Sequence, residues 1–408
     1  MDIHVTSDGT IGAIRPTGKS ESPPVPVLNG RGAIVLPGYV DLHTHILRYP
    51  ECLSDLIRWG ITGIREAGTA WEAIARVRSR ADIAVLPRFA AAGPLIDGDP
   101  PRWPRISVVV RSVADIEAVL DAHVAHGVRW VKAYRRLTAS LLRTLIQASH
   151  ARNLRVMAHL GRVPVRDAIA WGLDSLEHIR FGTVDRLLPR KWAVRVDRLP
   201  WPERDFAFWA AVNIQHDRLR RIFDAMAARG TIWVPTIVVH GVAVQSASPG
   251  ERHMPTWMRR KWAARSYRMA PDRRQKYRSV LHKILGVVRL AHRHGVVLGV
   301  GTDVPNVHTP PGWSFHWELS WLARAGLPLA EIVRAACWTP YRILEWPTPL
   351  QPGSPADLVI LRTRHLRSVR DLRRIGCVIR TGRVVFCHPR WIGAIPEGIP
   401  LGWGEHPL

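Results

Sequence analysis

At 408 residues, 47% hydrophobic and 22% charged, the chain can bury a full core and is too apolar for intrinsic disorder. Its formal net charge of +25 raises nucleic acid or an anionic membrane as partners, but the 58 lysines and arginines are scattered, grouped only in short runs such as Arg259, Arg260 and Lys261, which argues against a specific nucleic-acid surface. Four cysteines without a C-x-x-C pair argue against a disulfide framework, and with a polar start and no run of 18 apolar residues the chain is expected to be cytoplasmic, with no membrane partner.

Residues 1–36 are short, turn-rich and β-like. From there to residue 345, eight apolar or β-branched runs alternate with helical spacing. They are "AIVLPGYVDLHTH", "ITGIREAG", "AVLPRFAAAG", "RWVKAY", "RVMAHLG", "SLEHIRFG", "IWVPTIVVH" and "VVLGVGTD". Helices are expected at 113–126, 138–151, 216–229, 279–294 and 328–337. Such repeated alternation predicts an α/β fold, a closed (β/α)8 TIM barrel spanning 37–345. Strand-like runs return in 346–408, "ADLVILR" and "GCVIRTGRVVF", so 1–36 and 346–408 together predict a small β-sandwich built from both termini. The stretch 183–278, rich in Trp, Arg and Pro, is expected to form loops over the barrel mouth.

Chemistry collects at the predicted strand ends. His43 and His45 in "DLHTH" are two apart on a strand and share a face. About one H-x-H is expected by chance in a chain with 19 histidines, and a second one, His292 and His294, falls on a predicted helix whose spacing does not align them. His159 ends the fifth run, His178 the sixth and Asp303 the eighth. Any one of these histidines alone reads as a hydrogen-bonded core residue. Four histidines and an aspartate at the C-terminal ends of barrel strands read as a site for zinc or a related divalent metal.

Lysine is rare here, with six against a large excess of arginine, yet Lys132 stands inside the strand "RWVKAY". A lysine buried near positive charge can lose its proton, which arginine effectively cannot, and a neutral amine can add carbon dioxide to become a bridging carbamate. The plain alternative is a lysine snorkelling to solvent or paired with an acid. Tyr134 and Arg180 lie two residues beyond Lys132 and His178 and share their faces; Arg162 is suited to a substrate carboxylate; His240 is expected to end the seventh strand and line the pocket. Asp41 shares the face of His43 but lies deeper.

In "VLPGYVDLHTH", "WVKAY", "VMAHLG", "GLDSLEH", "WVPTIV", "LGVGTD", "HWELSWLARAGLPLAEIVRAACWTPYRIL" and "GSPADLVIL", the chain resembles the amidohydrolase superfamily of metal-dependent hydrolases. Within it the likeness is to imidazolonepropionase-related and Xaa-Pro dipeptidase-like members, and it runs nearly the whole length. The resemblance implies two divalent ions, zinc first, with His43, His45 and Asp303 on one, His159 and His178 on the other, and carbamylated Lys132 bridging them. Lys132 sets the chain apart from imidazolonepropionase itself, which lacks that lysine and uses a single metal. "AHLGR" departs by placing Arg162 where small residues are commoner.

The expected activity is hydrolysis of a C–N amide-type bond in a small-molecule substrate, a dipeptide, N-acyl amino acid or lactam, by a metal-bridging hydroxide with Asp303 as proton shuttle. Lactone or phosphotriester hydrolysis and ring deamination are nearer alternatives. A non-catalytic barrel or a basic nucleic-acid-binding protein is the alternative from another class. A homo-oligomer stays open.

Overall fold

The computed structural model describes residues 1–17, 27–30, 32–80, 86–179, 181, 183–199, 203–244, 250–251, 254–263 and 271–389. Strands β1 (Asp2–Val5) and β2 (Ile11–Arg15) form an antiparallel pair. Strand β3 (Ile34–Pro37) crosses to the other end of the chain and pairs with residues 358–361.

The barrel begins with β4 (Tyr39–Thr44) and β5 (Ile61–Glu66), parallel and buried at every residue. Covered on both faces, such strands read as continuous apolar runs with the functional residues set into them. The third strand is in two pieces, β6 (Arg88–Ala91) against β5 and β7 (Leu95–Asp97) against the fourth strand. Gly93, at φ +64°, and Pro94, which has no N–H to give a ladder, separate the pieces. Strand β8 (Ser107–Val109) adds to the outside of β7.

Strands β9 (Trp130–Ala133), β10 (Arg155–Ala158), β11 (Ser175–Glu177) and β12 (Ile232–Val234) continue the parallel sheet in chain order. The eighth run closes it without a full strand: Gly299 N donates to Trp233 O at 2.9 Å, and Leu42 N to Val300 O at 2.8 Å. Gly301 permits this approach, since a Cβ there would lie 2.4 Å from the Val234 side chain and 2.7 Å from His43 Cβ. The fold is the expected TIM barrel with a small sheet domain, whose four strands are β3, β13 (Leu358–Leu361), β14 (Ile375–Arg380) and β15 (Arg383–Cys387).

Helices follow the expected spacing. α1 (Leu53–Arg58) and α2 (Trp71–Arg78) are short; α3 (Val113–Ala125) starts at a capping box of Ser112 and Asp115, and α4 (Ala139–Ala151) at Thr138. α5 (Val165–Ala170) precedes β11.

Two expectations change. The stretch 183–278 is largely helical in its described parts rather than looped: α6 (Arg190–Asp197), α7 (Glu203–Ala211), α8 (Asp217–Arg229), which agrees with the helix expected at 216–229, α9 (Ile237–Ala243), α10 (Thr256–Ala263) and the start of α11 (Pro271–Arg293). Its position fits the expectation: Lys261 donates to Tyr49 OH at 2.9 Å and Glu251 meets His308 Nδ1 at 2.6 Å, touching the loops after β4 and after the closing run. The second change is a disulfide, Cys377–Cys387. The β14–β15 hairpin sets the two cysteines directly opposite each other, which their ten-residue spacing does not announce. Cys52 and Cys337 are buried free thiols.

α12 (Trp313–Arg324), α13 (Leu329–Cys337) and α14 (Thr339–Ile343) complete the wall. Among the described residues, no helix is long and apolar enough to cross a membrane.

Candidate metal centre

His43, inside β4, and His45, just past its end, place their Nε2 atoms 3.5 and 3.4 Å from the same oxygen, Asp303 Oδ1. The ligand atoms of these three side chains lie within 4.8 Å of one another. His178 follows β11 and His159 follows β10. Their rings extend the cluster, 4.5 Å from His43 to His178 and 4.6 Å from His178 to His159 between centroids. The structure therefore brings all four histidines and Asp303 to the C-terminal end of the barrel.

Three of the rings are oriented from behind. His43 Nδ1 forms a short contact with Glu177, so its Nε2 is the atom turned to the cluster. His45 Nδ1 meets Gly68 O at 2.9 Å, and His178 Nδ1 meets Thr236 Oγ1 at 2.9 Å. A histidine whose other nitrogen is held this way presents a lone pair to a metal. Asp303 keeps Oδ2 in a 3.1 Å bond from Asn306 Nδ2. Asp41 accepts from Thr302 Oγ1 at 2.6 Å and from His43 N at 3.1 Å, so it braces β4 against the closing run rather than entering the cluster.

Lys132 lies in β9, completely buried, and among the described residues its Nζ has no hydrogen-bond partner. Burial lowers its pKa to about 8, against the pull of Glu177 and with the push of Arg65. Burial likewise holds His43 well below the ordinary histidine range and His45 down to about 3, with Lys132 adding to both. Asp303 is pushed up to about 6 by burial, opposed by Lys132 and the Asn306 bond. In a dry cluster of this kind, imidazoles held neutral are donors without protons to lose first, and the Lys132 amine sheds its proton more readily than an exposed lysine does. His43 Nε2 is also buried without a hydrogen-bond partner among the described residues. An unpartnered imidazole nitrogen and an unpartnered amine facing carboxylate and histidine suit divalent cations, and an orphaned polar atom so deeply buried is otherwise costly.

The remaining expected residues divide. Tyr134 stands beside the cluster, its ring 4.9 Å from His159, and its hydroxyl accepts from Trp103 Nε1 at 3.0 Å. Arg162 is exposed in the turn after β10. Arg180 lies outside the described residues. His240 does not end the seventh strand: β12 stops at Val234, and His240 sits on α9, its Nε2 4.0 Å from Asp205 Oδ2 of α7. Pro235 and the left-handed Thr236, at φ +48°, end the strand early and start that helix.

Sequence reasoning missed Glu177 and Arg65. Glu177 takes a bond from Arg65 Nη2 at 2.8 Å and one from Ser175 Oγ at 2.5 Å, while Arg65 donates from Nε to Leu42 O at 2.7 Å and lies over the Trp130 ring at 4.5 Å. Both are fully buried. Their sequence signal is one acid and one base set inside apolar strand runs, charges that a buried strand holds only as a pair.

The amidohydrolase family model matches residues 34–385. A curated deacetylase from Brucella anthropi is 42% identical over 82 residues, a match that takes in 18% of this chain and 19% of that protein's length. Among solved structures, a bottromycin amidohydrolase superposes with a TM-score of 0.72 at 25% identity, covering 93% of this chain and 81% of that one. A Xaa-Pro dipeptidase with bound methionine gives 0.63 at 18% identity over 94% of both chains, a likeness of fold.

Proposed function

The chain belongs to the amidohydrolase family of metal-dependent hydrolases acting on carbon–nitrogen bonds, and we propose that it cleaves the amide of a small substrate, a dipeptide, N-acyl amino acid or lactam, at a centre of two divalent ions. The observation that carries the reading is the buried cluster of His43, His45 and Asp303 with the unpartnered amine of Lys132 beside it. In this reading His43, His45 and Asp303 would hold one ion and His159 and His178 the other, Lys132 as a carbamate would be a ligand shared between them, and zinc is the expected metal. Bound ions of this kind bring the pKa of a water near 7 and polarise a carbonyl.

The chain's own groups do the rest. Asp303 takes the proton of the attacking water and returns it to the leaving nitrogen, so the C–N bond breaks to give an acid and an amine. Glu177 holds His43 in one tautomer. Tyr134, beside His159, and Arg162, in the exposed turn beyond it, are the substrate-binding candidates of this reading, with Arg180 and His240 further candidates from the sequence.

The similar proteins whose names describe a dipeptidase, an amidohydrolase and a deacetylase support C–N substrates over lactones or phosphotriesters. We place the activity in a cytoplasmic enzyme with no specific nucleic-acid partner. The test is metal analysis of protein grown with zinc or manganese, followed by a screen of dipeptides, N-acyl amino acids and lactams. About two ions per chain and turnover of one of these classes are expected. Metal-free protein under those conditions, or turnover confined to phosphotriesters, would overturn the reading.

A further inference from the structure

The N-terminus of α9 is capped in an unusual way. The first N–H groups of a helix lack partners within it, and the residue just before the helix usually accepts one of them with its side chain. Thr236 occupies that place and is a residue type that does so well, yet its hydroxyl makes no capping bond. Glu318, reaching in from α12, takes both leading N–H groups instead, Ile237 N at 2.9 Å on Oε1 and Val238 N at 2.6 Å on Oε2. Glu318 is fully buried, a position a carboxyl seldom holds without a task.

The consequence falls on His178. With the helix start satisfied by Glu318, the Thr236 hydroxyl is turned to His178 Nδ1. Thr236 is left-handed, at φ +48° and ψ +50°, a conformation that costs a β-branched residue energy and persists only where its surroundings impose it. His178 is itself left-handed, at φ +67°, and is clamped to the same segment: its N donates to Val234 O at 2.8 Å, and its O accepts from Trp233 Nε1 at 2.7 Å. When Nε2 of His178 faces a cation, Nδ1 carries the hydrogen and donates it to Thr236 Oγ1.

We propose that Glu318 is a positioning residue of the metal centre: by capping α9 in place of Thr236, it frees the Thr236 hydroxyl to set the tautomer and direction of His178. The inference rests on the hydrolase reading and concerns the ion held by His159 and His178. It predicts that the two ions respond differently to changes in α12, which supplies none of the ligands.

The experiment is zinc titration against a chromophoric chelator, with elemental analysis, on full-length protein carrying Thr236→Val, Thr236→Ser, Glu318→Gln, or Thr236→Val with Glu318→Gln. Valine keeps the shape of threonine and removes the hydroxyl; glutamine keeps the size of glutamate and turns a donor toward one N–H. Thr236→Val and Glu318→Gln are each expected to weaken one of the two ions by about 10- to 100-fold and to leave the other at wild-type affinity. Thr236→Ser should restore binding, and the double variant should be no weaker than the worse single, because the two residues act along one path. Equal loss of both ions, unchanged affinity, or additive losses overturns the inference while leaving the hydrolase reading in place. A wild-type chain that binds no zinc overturns both.

Discussion

At the scale of single residues, the proposed chemistry rests on Lys132 and Asp303. An amine buried without a hydrogen bond, with its pKa lowered to about 8, is an ammonium at pH 6.5 and largely a free amine at 8.5. Only the free amine adds carbon dioxide, so metal-free protein given ¹³C-bicarbonate should show a carbamate resonance that grows from pH 6.5 to 8.5 and is absent in Lys132→Ala. Lys132→Arg should be inactive without rescue, since a guanidinium keeps its proton, whereas Lys132→Ala should regain part of its turnover with zinc and a short carboxylate. Full activity in Lys132→Arg would reduce the residue to a charge. Asp303→Asn keeps an oxygen donor but cannot take a proton, so metal content should fall modestly while turnover falls by about 10²- to 10⁴-fold. Near-native turnover in that variant would move the base elsewhere, with His240 the first residue to examine. His240 stands on α9 against Asp205 and not at the end of β12, which argues against that outcome.

Between elements, the site depends on how β4, β5 and β11 lock together. Arg65 and Glu177 form a fully buried ion pair, and Glu177 also meets His43. Removing one partner of such a pair leaves an uncompensated buried charge, at a cost of about 3–5 kcal/mol. Glu177→Met should therefore lower stability to urea far more than Arg65→Met with Glu177→Met together, and equal stability of the single variant and wild type would show that the pair carries no load. The pair also shows where strand reading stops. Strand reading set His43, His45, His159, His178 and Asp303 in or just beyond apolar runs, and the structure brings them together at one end of the barrel. Alternation could not place Glu177 and His178 in one site, since neighbours on a strand face opposite ways. His178 evades that rule by turning left-handed at the end of β11, and Asp303 does the same at φ +59°. Thr236 and Pro235 likewise convert the expected strand end at His240 into helix α9. Periodicity encodes regular backbone, and these departures from it go with contacts distant in sequence: Trp233 and Val234 at His178, His43 at Asp303, and Glu318 at the start of α9.

For the whole molecule, the barrel was legible because its strand runs repeat along the chain. The sheet of β3, β13, β14 and β15 was legible because β-like runs at the two ends had no place in that repeat. What the sequence hides is how many ionisable groups the barrel buries, and these make the metal-free protein's stability depend on pH in a definite way. One set consists of bases held below their ordinary values by burial: His43 far below, His45 at about 3 and His316 at about 4. For each, the unfolded chain binds a proton that the folded one refuses, so stability rises with pH until about 6.5 and then stops changing. The other set consists of acids held above their ordinary values by burial: Asp303 at about 6, Asp41 at about 7, Glu66 and Glu318 at about 8. For these the folded chain keeps a proton that the unfolded one has released, so their contribution is complete below about pH 4 and is lost as pH rises through the folded value. The two sets oppose each other below pH 6.5. Of these groups, Asp41, Glu66 and Glu318 still act above it, each at a limiting slope of about 1.4 kcal/mol per pH unit. Lys132 begins to act in the opposite sense only above about 8. The thermal midpoint of chelator-treated protein should therefore fall between pH 6.5 and 8.0 at fixed ionic strength, and Glu66→Gln or Glu318→Gln should flatten the fall, because a glutamine has no proton to lose. A midpoint that rises over this interval would mean that the buried acids are ionised in the folded chain, stabilised by the N–H groups of Ile46 and Leu47 at Glu66 and of Ile237 and Val238 at Glu318 more strongly than burial opposes them.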